Sequence, residues 1–176
     1  MTVSKPDQQF SLHPYTTNWK RRYQQAEKKI RSALNESIEI HHIGSTSIPG
    51  LLSKPEIDIA IGVDDLAIVK DWVTKFADIS YLYYPRFEKE TPNRRYFRKG
   101  NRKRPLVHVH IYKKSDPVFK DMIVFRDTLL QNTKLRDQYA AIKKKLAKST
   151  KFEWMPYMEA KYEFIKKVVA EEKKKH

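Results

Sequence analysis

A turn of small polar residues, Gly44-Ser45-Thr46-Ser47, precedes two carboxylates, Glu56 and Asp58, set two positions apart. Glycine at the head of such a turn lets backbone approach an anion closely, and the hydroxyls and amide N–H groups behind it donate to phosphate oxygens. A short helix starting near Thr46 would add a favourable dipole. In a strand, Glu56 and Asp58 project from one face. Carboxylates so placed suit a divalent cation, Mg²⁺ or Mn²⁺, that bridges a nucleotide's phosphates and stabilises in-line phosphoryl or nucleotidyl transfer. Gly44, Ser45, Thr46 and Ser47 are therefore candidate phosphate-binding residues, and Asp58 with Glu56 candidate catalytic ones. Lys54, just ahead of the carboxylates, either touches the same phosphate or covers the turn.

His108 and His110 form a second constellation, since His-x-His in a strand presents two imidazoles on one face. With Asp58 alongside they would make a metal set of two nitrogens and a carboxylate, suited to Zn²⁺ or Mn²⁺. Local hydrogen bonds, or stacking near a phosphate, are the alternative. Arg94, Arg95, Arg98 and Lys99 lie just before this strand, so a hairpin would bring them beside it. Arg95 and Lys99 share a face in a regular strand, with Phe97 between them. Arg95, Arg98 and Lys99 are candidates to hold a phosphate tail, because the guanidinium fork matches phosphate and an aromatic neighbour can stack on a base. A solvated basic edge strand is the competing reading. His42 alternates with Ile38 and Ile40, which fits a partly buried imidazole as well as a ligand-binding one.

The elements that must position these groups follow from periodicity. Trp19, Tyr23, Ala26, Ile30, Ala33 and Leu34 recur at helical spacing over about 15–34. SIEIHHI, residues 37–43, alternates like a strand. In EIDIAIGV, Ile57, Ile59, Ile61 and Val63 fall on one face and Glu56, Asp58, Ala60 and Gly62 on the other. Asp64 or Asp65 caps a helix carrying Leu66, Val69, Val73 and Phe76. Strands are expected near 94–99 and 105–112, then helices at about 117–131, 134–148 and 156–172. The layout is an α+β domain, residues 1–176, with a helical C-terminal region and helices packed around a small sheet.

Lys and Arg number 36 against 21 Asp and Glu, a formal charge of +15, which favours polyanionic partners: nucleotides, other polyphosphates or RNA. The charge clusters from Arg86 to Arg104 and from Lys134 to Lys151, the second reading as a solvated helix face. With no cysteine, disulfides, thiolate zinc sites and cysteine nucleophiles are excluded. No apolar run is long enough for a membrane span, and residues 1–13 lack the apolar stretch of a signal peptide, so a cytoplasmic location is expected.

The stretch HIGSTSIPGLLSKPEIDIAIGV resembles the signature of the GrpB family, which belongs with the nucleotidyltransferase-like superfamily. The likeness continues through RRYFRKG, LVHVHIY, FRDTLLQNTKLRDQYAAIKKKLA and YMEAKYEFI. The resemblance implies a nucleotidyltransferase-like mixed sheet flanked by helices, with the site at the Gly-Ser turn. It also implies an acidic-x-acidic pair and a third acidic residue on a later strand. Aligned on KPxIDI, Asp58 takes the first acidic position and Ala60 the second, and the later strand carries His108 and His110 instead. Two functions follow as expectations: a metal-dependent nucleotidyltransferase or related phosphotransferase, or a nucleotide- or RNA-binding module that has lost the chemistry.

Overall fold

The computed structural model describes residues 12–100, 106–149 and 154–175. Helix α1 (Asn18–Leu34) ends at Asn35, whose left-handed backbone (φ 53°) returns an N–H to the Arg31 carbonyl. Strand β1 (Glu39–Ile43) follows, then a 3₁₀ turn at Ser45–Ser47 and strand β2 (Ile57–Val63). The Asp65 side chain accepts from the Ala67 N–H and caps a 3₁₀ turn that runs into helix α2 (Val69–Asp78). Strands β3 (Leu82–Tyr83), β4 (Arg95–Lys99) and β5 (Val107–Lys113) complete the sheet. Asp116 caps α3 (Pro117–Gln131), with Pro117 in its first turn, where no intrahelical N–H is required. The Asn132 side chain accepts from the Leu135 N–H at the start of α4 (Thr133–Ser149), and α5 (Trp154–Lys173) closes the fold.

The five strands run in the order β1-β2-β5-β4-β3, with β2 and β5 parallel and the other pairs antiparallel. Helices packed around a small sheet are what the periodicities predict, and the mixed sheet is what the family resemblance implies. One face carries Ile57, Ile59, Ile61, Val109 and Ile111, buried against α1 and α2 with Trp72, Phe76 and Phe97. The other face carries Asp58, Ala60, His108 and His110 and lies under the C-terminal helices. Ala60 packs there with Ile43, Tyr112 and Phe119. Gly62 is required by this packing, because a Cβ on it would stand 2.7 Å from the Phe119 ring. The small residues of β2 thus let α3 settle on the sheet beyond Asp58.

Strand β3 and a 3₁₀ turn at Pro85–Glu88 were not expected from the sequence; both lie in a stretch whose aromatic residues follow no regular period. Arg102, Lys103, Arg104, Pro105 and Lys151, members of the basic blocks and, for Pro105, of the strand expected at 105–112, fall outside the described residues. No helix among the described residues is long and apolar enough to cross a membrane.

Candidate active site

Register sets the site. Ile43, the last residue of β1, pairs with Asp58 on β2, so the chain leaves the sheet directly above that carboxylate. Gly44 makes the departure with φ 72° and ψ −176°, a region open in practice only to glycine. A Cβ there would lie 2.5 Å from Asp58 Oδ2. Behind it, Ser47 folds back on the turn, its hydroxyl donating to the Gly44 carbonyl at 2.6 Å. Thr46 is buried, its Oγ1 3.1 Å from His42 Nε2, and the His42 ring stacks on Tyr23 at 4.6 Å. Burial takes His42 down to a pKa of about 4 against the opposing charge of Asp58, so the imidazole is neutral and structural.

Ser45 meets a partner from far along the chain. Lys143, on α4, is only 2% exposed; its Nζ donates to Ser45 Oγ at 2.8 Å and to the Leu52 carbonyl. Tyr139, one turn earlier, is buried beside it, with the ammonium 5.5 Å from its ring centre. Burial lowers the Lys143 pKa to about 7; the charges of Lys161 and Lys54 push the same way and Asp58 opposes them. The lysine expected on a solvated face is therefore a buried, titratable group at the Gly-Ser turn.

Asp58 stands with Oδ1 3.8 Å from His110 Nε2. Burial would raise its pKa, but the adjacent His110 and the charges of His108 and Lys54 outweigh that and bring it to about 2. Glu56 pairs with Lys54 at 2.9 Å and lies 3.8 Å from His108 Nε2. His108 Nδ1 is engaged by the Tyr96 hydroxyl, and burial lowers its pKa, with Asp58 and Glu56 opposing. His110 and Lys54 add to the effect of burial on this imidazole.

Gly44, Ser45, Thr46, Lys54, Glu56, Asp58, His110, Tyr139 and Lys143 line one cleft of about 640 Å³, closed on its far side by α3 and α5. Other expected residues are not brought to it. His108 is absent from the lining, and its ring faces Glu56 while that of His110 faces Asp58. The two imidazoles and Asp58 therefore do not converge as a zinc set, and no group of three or more His, Asp or Glu arranged to hold a metal occurs among the described residues. A hard cation needs less, because Mg²⁺ is held by one or two carboxylates with phosphate oxygens completing its shell, and ionised Asp58 fits that role.

The basic strand also divides. Strand β4 pairs with β5 as a hairpin, but the register sets Arg98 opposite His108 and Arg95 and Lys99 opposite Ile111 and Val107. Arg95 and Lys99 share a face as expected, and it is the face away from Asp58. Arg95 is tied to the Pro92 carbonyl and to Glu88, and Lys99 Nζ donates to the Ile79 carbonyl. Arg98 is on the Asp58 side yet leans over Tyr84, 5.2 Å from the ring centre, outside the cleft. Replacing Arg95 or Lys99 by Ala should leave pyrophosphate affinity within about twofold in a calorimetric titration, as for changes remote from a site. A drop beyond about tenfold would return β4 to the site.

The GrpB protein family matches residues 9–171. The chain belongs to the GrpB family. The chain is 33% identical over 162 residues to the UPF0157 protein YqkA of Bacillus subtilis, covering 92% of this chain and 46% of that one. Against the UPF0157 protein BH1888 of Halalkalibacterium halodurans it is 31% identical over 160 residues, covering 90% and 80%. The GrpB fold here thus spans about half of YqkA and most of BH1888. A crystal structure of the conserved protein GrpB from Enterococcus faecalis superposes with a TM-score of 0.82 at 33% identity, covering 94% of this chain and 98% of that one.

Sequence reasoning missed Lys143, Tyr139 and the α3–α5 wall. A signal for Lys143 existed: Leu135, Tyr139 and Lys143 recur at four-residue steps, the buried stripe of α4, whereas Lys144 and Lys145 fall off it.

Proposed function

We propose that this GrpB-family protein binds a nucleotide or other polyphosphate at the Ser45–Lys143 end of the cleft and transfers a phosphoryl or nucleotidyl group from it. The observation that carries this reading is Lys143, a buried ammonium at the cleft whose hydrogen-bond partners are the neutral oxygens of Ser45 and Leu52. A buried charge answered by neutral dipoles, with Lys54 and Lys161 nearby, favours the entry of an anion. Gly44 lets the turn pass close to Asp58, the Ser45 hydroxyl and Lys143 ammonium hold the phosphate oxygens, and the C-terminal helices limit water. Asp58, ionised at neutral pH, would hold a Mg²⁺ or Mn²⁺ ion carried in by the phosphates, and the ion would neutralise charge developing on them.

A second reading, a nucleotide- or RNA-binding module without catalysis, is favoured by Ala60, which packs against Phe119 where the superfamily pattern would place another carboxylate. Titration of ATP with and without Mg²⁺, alongside an assay for released phosphate or pyrophosphate, separates the two. Asp58→Asn decides the metal's place. Its stability at pH 7 should change by about 1 kcal/mol or less, since the carboxylate is partly solvated. The depressed folded pKa means any contribution of Asp58 is present above about pH 4 and lost as pH falls through about 2, and the variant should lack that loss. ATP should still bind the variant, with the Mg²⁺ enhancement gone. An unchanged Mg²⁺ enhancement would remove Asp58 from the site.

A further inference from the structure

Phosphate chemistry accounts for only one half of the cleft. The other half is apolar: Val118, Met122 and Phe125 line it from α3, and Tyr162, Ile165 and Val169 from α5. On each helix these residues follow helical spacing and form one stripe. Val118 is 50% exposed and Tyr162 59%, two of the five large apolar side chains that stand most open to solvent among the described residues. The polar groups along this half are Asp121, already paired with Lys173, the Tyr162 hydroxyl, and the lysines Lys161 and Lys166. Aliphatic surface continuous with a cationic, hydroxyl-lined end calls for a ligand with the same polarity profile, and the cleft's volume lies in the range of small-molecule sites.

We propose that the cleft accepts an amphipathic phosphate ester, its phosphate at Ser45 and Lys143 and its alkyl or acyl chain along the α3–α5 wall. The inference rests on the anion site proposed above and specifies the ligand's body. The opposing charge at one end and the apolar wall at the other fix its direction: headgroup toward β2, chain toward Val118 and Tyr162. Lys161 and Lys166 border the apolar stripe on α5, where long aliphatic stems can cover a bound chain while the ammonium groups stay in water.

Calorimetric titration with pyrophosphate, ethyl phosphate, dodecyl phosphate and dodecyl maltoside, each kept below micelle formation, tests this. Dodecyl phosphate is expected to bind at least about tenfold tighter than ethyl phosphate, since each buried methylene adds to affinity. The double variant Val118→Asn, Tyr162→Ser changes two exposed side chains and should fold. It should bring dodecyl phosphate down to the level of ethyl phosphate while leaving pyrophosphate unchanged. Dodecyl maltoside, lacking the anion, should bind at least about tenfold more weakly than dodecyl phosphate. Equal affinity for the two alkyl phosphates, equal affinity for the maltoside, or a chain-length gain that survives the double variant would each overturn the inference. If pyrophosphate binds in a Lys143-dependent way but the alkyl chain adds nothing, the inference alone falls. If neither pyrophosphate nor ethyl phosphate binds, the anion site falls with it.

Discussion

The Lys143→Met variant is expected to bind pyrophosphate about tenfold to about a hundredfold more weakly than the parent, the range for losing a charged hydrogen-bond partner. The same substitution should remove two pH dependences. In the free protein Lys143 is charged below about pH 7 and neutral above it. An anion at Ser45 favours the ammonium, so the parent's affinity should fall as pH rises above about 7, and binding at pH 8 should take up a proton. Comparing binding enthalpies in buffers of different ionisation enthalpy measures that uptake. Unfolding returns the lysine to its ordinary, higher pKa, so between about pH 7 and 10.5 the unfolded chain holds more protons at this site. The parent's stability contribution from Lys143 therefore rises with pH across that window and is lost as pH falls through about 7. Lys143→Met should lack this rise in urea denaturation. An unchanged affinity and an unchanged slope would leave Lys143 a structural residue.

Gly44→Ala should have the largest structural effect for its size. The backbone at φ 72° and ψ −176° costs on the order of 1–3 kcal/mol for any residue with a Cβ, and that Cβ would also collide with Asp58 Oδ2. Both faults act where the chain leaves β1 over the carboxylate. The melting temperature should fall by about 4 °C or more, at the sensitivity usual for a chain of this length, with anion binding lost in parallel. Gly50→Ala is the control. Its φ is also positive, at 85°, but a Cβ there would meet nothing nearer than Arg136 Nε at 4.0 Å. It should carry backbone strain alone, with binding retained. Equal losses in the two variants would mean that the contact between Gly44 and Asp58 does not matter.

How much was legible can be judged residue by residue. The isoleucines of β2 alternate with Asp58, Ala60 and Gly62, and a two-residue period leaves little choice about which side chains face the core; the placement of Asp58 followed directly. The Gly-Ser turn was legible as a run of small polar residues, but Gly44 was read as room for a phosphate, whereas its missing Cβ makes room for Asp58 Oδ2. Strand β4 misled for the same reason that β2 did not. Its period was read correctly, but Arg95 and Lys99 were assigned to the site although Phe97 between them is the residue buried against Phe76. The buried aromatic marks the core face, so its strand neighbours at two-residue steps belong with it. Lys143 was hidden by its company: in a run of three lysines the one at the helical phase of Tyr139 looks like its neighbours until α4 is docked. That docking depends on contacts 98 residues apart in the chain, such as Lys143 with Ser45, which no local pattern encodes.

The central claim is that the Ser45–Lys143 end of the cleft receives phosphate. The most direct test is a crystal structure of the protein with a non-hydrolysable ATP analogue and Mg²⁺. The account predicts phosphate oxygens within hydrogen-bonding distance of Ser45 Oγ and Lys143 Nζ, with the ion against Asp58. Phosphates bound instead among Arg86 and Arg94, which lie over the Phe87 ring, and Arg98 over Tyr84, or a cleft without analogue at saturating concentration, would contradict it.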